Sequence, residues 1–186
     1  KKYMLRLFLF AIISEIPFNL IMGSSVFYPF HQNVLWTFLL GVLSIQIIEK
    51  AKKKQKKWIS FFVVCLVLLM DFLLGTITMV DYNAAGILTV LLFYFFRKKT
   101  WISFAAQLVG LYYLNVVMLG NLYYPVTILG HHFEIAQQSF ALLALIPIWL
   151  YHGEQGYHSK WFKYFCYAFY PVHLLILVVI WQWRIR

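Results

Sequence analysis

The chain has 186 residues, 63% of them hydrophobic and 20% aromatic, with a mean hydropathy of +0.76. Soluble domains carry roughly 45–50% apolar residues, so a water-soluble fold is excluded. The net charge of +10 is no nucleic-acid footprint, because it sits in short gaps between long apolar stretches, where it orients a membrane protein and meets anionic headgroups.

Apolar stretches lie near 4–22, 34–48, 58–79, 83–96, 101–120, 136–151 and 164–182. A bilayer-spanning helix needs about 20 such residues, so the second and fourth should borrow length from adjacent loops. Basic residues gather at Lys1, Lys2 and Arg6, at Lys50 to Lys57, at Arg97 to Lys99, and at Lys160 and Lys163. These are alternate gaps, and the positive-inside rule puts them in the cytoplasm. Arg184 and Arg186 then fall outside as exceptions. The expected fold is all-α: a polytopic transmembrane helical bundle of about seven spans, forming a single integral membrane domain over 1–186. The Lys1-Lys2 start, without methionine, leads us to expect further spans upstream. A β-barrel would show alternating segments of about ten residues, and none are present.

In span one, Glu15 lies deep enough to cost about 2.5–3.5 kcal/mol on insertion scales. Pro17 should kink the helix, and Asn19 shares a face with Glu15. Intramembrane acids are functional candidates by default. The following external loop ends in His31-Gln32-Asn33, where Asn33 is a reasonable N-cap and His31 is not needed for capping. The run Lys50–Lys57 reads as a solvated loop, with phosphate binding as an unspecific alternative.

Span three carries Asp71, expected to face inward. Asp81, Tyr82 and Asn83 form a turn at the outer boundary, and Gly86 with Ala84 and Ala85 permits close helix approach. Gln107 and Asn115 in span five should make interhelical hydrogen bonds. In the next external loop, His131 and His132 precede Glu134, Gln137 and Gln138. A helix there would group His131 with Glu134, yet two histidines and one acid fall short of a metal ligand set, so no metal is expected. Gly153 and Gly156 mark a tight cytoplasmic turn. Pro171 and His173 lie in span seven, where a histidine is a natural proton carrier. Cys65 and Cys166 read as small packed residues without a disulfide partner.

The polar groups converge on the outer half of the bundle. General acid/base chemistry needs a histidine or carboxylate of tuned pKa, and burial supplies the tuning. No nucleophile motif or phosphate-binding glycine loop is present.

The strings EIPFN at 15–19, HQNVLWTFLLG at 31–41, DYNAAGILTVLLFYFF at 81–96, YHGEQG at 151–156 and FYPVHLLIL at 169–177 together resemble the TraX family over essentially the whole chain. These are multi-pass inner-membrane proteins associated with conjugation, whose founding member acetylates the N-terminal amine of F-type pilin. The resemblance implies a bacterial cytoplasmic-membrane acetyltransferase that takes acetyl-CoA as donor substrate. Its acceptor would be an extracytoplasmic protein N-terminus or a glycan. Glu15, His31, Gln32, Asn33, Asp81, Tyr82 and His173 fall on recurrent polar positions of the family. Asn19 stands where aspartate is common, Asn83 where glycine is common, and His152 with Glu154-Gln155 replaces a more basic stretch. The family's further hydrophobic N-terminal stretch, with its Asp-His-Ile-type motif, has no counterpart here. On this reading the catalytic set is His31 or His173 as base with Asp81 or Glu15 orienting it. Asn33 or Tyr82 would serve as oxyanion donor, and Asn19, Gln32, Asn33 and Tyr82 would contact substrate. The residues holding the donor are not assigned by the resemblance. The competing class is a non-enzymatic carrier or envelope-machine scaffold, since kinked spans with ionisable groups also suit transport, although no inverted repeat is visible.

Overall fold

The computed structural model describes residues 2–120, 122–128, 131–154, 156–157 and 159–185. Lys1, Gln155 and Arg186, and the side chain of Arg184, lie outside the described residues. The elements run α1 (Lys2–Gly23), α2 (Val34–Lys54), α3 (Lys57–Ile77), α4 (Asn83–Phe95) and α5 (Trp101–Tyr112), which continues as a π-helical turn at Tyr113–Met118. An antiparallel hairpin follows, β1 (Tyr123–Ile128) with β2 (His131–Ala136). A 3₁₀ segment (Gln137–Ala144) then leads into α6 (Leu145–Leu150), and α7 (Lys160–Ile185) ends the chain.

Among the described residues, five segments are long and apolar enough to cross a bilayer: α1, α2, α3, Trp101–Met118 and Lys160–Trp183. The other two apolar stretches are shorter helical segments, Asn83–Phe95 and Gln137–Leu150. The protein is therefore an all-α, multi-pass membrane bundle, as its sequence implies. Helix α4 packs against α2 and α3, α1 against α2 and α7, and α5 against α4. The inner half of the α2–α3–α4 unit closes on Ile48, Val67 and Leu91. Large side chains such as Phe61, Phe62 and Phe165 stay exposed, which suits helix faces turned to hydrocarbon rather than water.

Polar and small residues set the helix contacts. Asp71 is buried and accepts a hydrogen bond from Ser44 Oγ at 2.7 Å, joining α3 to α2. A Cβ on Gly75 would lie 2.7 Å from the Ala84 Cα, so α3 and α4 touch backbone to backbone. Gln107 donates to the Phe96 carbonyl at 2.8 Å and accepts from Trp149 Nε1 at 2.7 Å, tying α5 to α6 as expected.

Several expectations are corrected. Helix α2 runs on to Lys54, so Lys50–Lys54 form its last turns. Lysine is a good helix former, and its charge complements the helix C-terminus. Asn115 bonds to Leu111 O within its own helical stretch, at 3.0 Å. Both cysteines are exposed on the helix surface. The loop before the sixth stretch is a hairpin, and strand alternation puts His131 and Glu134 on opposite faces. Threonine, valine, isoleucine and the aromatics in YYPVTI and HHFEIA favour strands.

Gly75→Ala is expected to destabilise the bundle by about 1–3 kcal/mol through overpacking. The check is a lowered thermal midpoint of the purified protein in detergent.

Candidate active site at the outer helix ends

Two loops meet at the outer face. One joins α1 to α2 and the other joins α3 to α4. They form a short parallel bridge between Gln32 and Val80. Gln32 N donates to Met79 O at 2.9 Å, and Asp81 N donates to Gln32 O at 2.8 Å. With the backbones so locked, the residues beside the bridge, His31 and Asp81, come side to side. His31 Nε2 lies 3.3 Å from Asp81 Oδ1.

The turn that carries Asp81 is strained. Met79, Tyr82 and Asn83 have φ of 50°, 62° and 47°. Left-handed backbone is uncommon outside glycine and asparagine, and such positions cost on the order of 1–3 kcal/mol each and cluster at functional sites. The requirement explains why glycine or asparagine suits position 83. Thr37 Oγ1 donates to Asp81 O at 2.8 Å and Gly86 N to Tyr82 O at 3.0 Å. Gly86 is needed there, because its Cβ would lie 2.7 Å from Thr37 Cγ2.

Beneath the pair lies a second group. Asn33 is fully buried and caps α2, its Oδ1 accepting from Leu35 N at 3.1 Å. Its Nδ2 donates to Ala11 O at 2.9 Å and to Glu15 Oε2. Trp36 Nε1 also donates to Glu15 Oε2, at 2.9 Å. Glu15 Oε1 is buried without a partner among the described residues. Glu15 and Asn33 thus brace α1 to α2 one layer below the imidazole. Asn19 is buried and donates to Val26 O at 3.1 Å, and Gln32 Nε2 donates to Pro29 O at 3.1 Å, so both side chains shape the first loop.

Phe18 stacks on His31 with centroids 5.6 Å apart. Helix α7, which carries Tyr170, packs along α1, which carries Glu15, and Tyr170 is near enough to Glu15, Asp81 and Tyr82 to feel their charge. His173 is placed differently. Its Nδ1 lies 3.0 Å from Phe169 O, its ring stacks on Phe169, and it meets the Tyr170 ring edge-on. The geometry gathers Glu15, His31, Gln32, Asn33, Asp81 and Tyr82, while on α7 the His173 ring packs edge-on against Tyr170. Trp36, Thr37, Phe18 and Tyr170 were not singled out from sequence. A tryptophan three residues after an N-cap was the one usable signal. Among the described residues no group of three or more metal-ligating side chains occurs.

Burial raises the Asp81 carboxyl above its ordinary value, and the His31 hydrogen bond and charge offset part of that rise. Burial, with the Asp81 charge behind it, raises the Tyr82 phenol. The His31 side chain is 34% exposed, so the pair is open to a ligand. Beside it, a groove of about 550 Å³ starts at Thr37 and Tyr82 and runs between α2 and α4 past Val42 to Phe93 near the inner end of α4.

A helical bundle whose loops assemble an imidazole–carboxylate pair at one membrane face, above an apolar groove, defines a multi-pass membrane protein with a candidate site at its outer helix ends. The profile of the family described as TraX protein matches residues 1–181. The chain belongs to the TraX family, and is thereby a conjugation-associated membrane protein. No curated protein and no solved structure matches it.

The raised Asp81 carboxyl has a consequence for stability. The folded chain holds that proton more tightly than the unfolded chain. The contribution is therefore fully present below the unfolded value near 3.8 and is lost as pH rises through the folded value. Asp81→Asn is expected to flatten this part of the stability–pH curve, read as thermal midpoints in detergent across the acid range.

Proposed function

We propose that the protein is an acyltransferase of the bacterial inner membrane. On this reading it moves an acetyl group from acetyl-CoA to an amine or hydroxyl on the extracytoplasmic side, such as a pilin-like N-terminus or an envelope glycan. The observation that carries the reading is the His31–Asp81 pair at 3.3 Å, its imidazole one-third exposed, next to an apolar groove whose wall includes Tyr82. Family membership supports the same chemistry, since the family is associated with pilin acetylation.

The pair suits general base catalysis. When Asp81 accepts a hydrogen bond from His31 Nε2–H, the imidazole lone pair resides on Nδ1. Nδ1 takes the proton of the acceptor as its nitrogen or oxygen attacks the thioester carbonyl. The carbonyl carbon gains a bond to the acceptor, the C–S bond breaks, and the leaving thiolate recovers the proton from the imidazolium. The charge on the tetrahedral oxygen needs a donor aimed at it. On this reading Tyr82, the residue after Asp81, or Tyr170 of α7 supplies one. Glu15 and Asn33 act by holding α1 and α2 in register beneath the base.

Purified protein in nanodiscs, given acetyl-CoA and candidate amine or sugar acceptors, is expected to release free thiol. His31→Ala should lower turnover by about 10²–10⁴-fold, the usual contribution of a general base. His173→Ala should stay close to wild type. Undiminished turnover in His31→Ala would overturn the assignment of the base. Absence of thiol release from folded wild-type protein would overturn the enzyme itself.

A further inference from the structure

A second cavity lies at the opposite, cytoplasmic end of the same unit. It measures about 350 Å³ and is walled by the end of α4, the start of α5, and the end of α6 with the loop after it. Three basic side chains, Arg97, Lys99 and His152, line it, and among the described residues no carboxylate does. Its frame is built rather than accidental. The Lys99 ammonium donates to Trp149 O at 3.0 Å and to Tyr151 O, which closes the C-terminal end of α6 and fixes the charge in place. Gln107, also in the wall, is buried between the Phe96 carbonyl and the Trp149 indole. Gly153 has φ of 81° and open space where a Cβ would be, so its backbone is bare at the rim.

Arg97 is partly engaged elsewhere, with Glu49 at 3.7 Å and the Tyr94 ring at 5.0 Å. Its side chain remains 65% exposed, leaving donor positions free. Phe93 lines both this cavity and the groove that climbs to Thr37 and Tyr82. The basic pocket at the inner face and the apolar groove that reaches Tyr82 thus share one wall residue.

We propose that the Arg97–Lys99–His152 cavity binds clustered phosphate groups, those of the nucleotide portion of a thioester donor. Fixed cations and an exposed backbone favour phosphate oxygens, while the groove beyond Phe93 suits the uncharged arm of such a donor. That the ligand is the donor rests on the transfer reading above. The phosphate site rests on the cavity.

The test uses full-length protein in nanodiscs of phosphatidylcholine alone, titrated calorimetrically with coenzyme A and with adenosine 3′,5′-bisphosphate. Both ligands should bind. The double variant Arg97→Gln/His152→Asn, which spares the Lys99 bonds, should weaken both by about ten-fold or more. Lys53→Gln/Lys54→Gln removes two charges from the same face outside the cavity and should leave affinity nearly unchanged. Equal weakening by both double variants would reduce the effect to surface charge and overturn the site. So would wild-type affinity in the first variant, or failure of both ligands to bind folded wild-type protein. A parallel preparation with phosphatidylglycerol separates the sources of phosphate. Lipid retention that the first variant loses, without nucleotide binding, would overturn the nucleotide assignment in favour of a headgroup. Adenosine bisphosphate has no thioester, so binding without turnover would sink the transfer reading alone. Turnover with unaltered binding in the first variant would sink this site alone.

Discussion

The outer site depends on two backbone hydrogen bonds. Gln32 N to Met79 O and Asp81 N to Gln32 O join loops that are almost fifty residues apart in sequence, in a region where neither loop has other regular structure. An imidazole and a carboxylate on separate flexible loops would lose side-chain and backbone entropy to meet. Here the bridge has already fixed that geometry, and the strain at Met79, Tyr82 and Asn83 is the accompanying cost. The helices carry the bridge: Asn33 begins α2 on one side of it and Asn83 begins α4 on the other, so α2 and α4 could not shift against each other without separating His31 from Asp81.

Glu15 illustrates how a costly residue becomes structural. One oxygen takes donors from Asn33 and Trp36, both on α2 or its cap. A buried charge-bearing group with paired donors is far cheaper than an isolated one, and removing a partner leaves the other group stranded. Of the two acids that the sequence offered for orienting the base, Glu15 therefore braces the helices while Asp81 meets the imidazole.

The helical bundle was legible because bilayer spans write themselves as apolar length and loop charge, and both signals are local. The Asn33 cap and the close approach at Gly86 were legible for the same reason. The partnership of His31 with Asp81 was only guessable, since nothing in either segment encodes a bridge between loops. Tyr170 was hidden because tyrosine near a membrane end has an ordinary explanation as an interfacial residue, whereas His173, one turn further along α7, attracted attention by its chemistry alone. The hairpin was missed because its period-two pattern, with histidines and a proline mixed in, is weak beside strong helical neighbours. The end of α2 was misplaced because a lysine run reads as solvent whether or not it is helical.

The two short segments give the bundle an uneven thickness. Helix α4, at about 1.5 Å per residue, is ~20 Å long against a hydrocarbon core of about 30 Å. The stretch Gln137–Leu150 gains some reach from its 3₁₀ turns, which rise about 2.0 Å per residue, yet it too stops near ~25 Å. Lipid beside these segments must compress, or their polar ends must reach for the surface. The α1, α2 and α3 side imposes no such demand. The protein thus carries a built-in preference for a locally pinched bilayer, and the lipid acyl chains around it become a determinant of how its two faces are spaced.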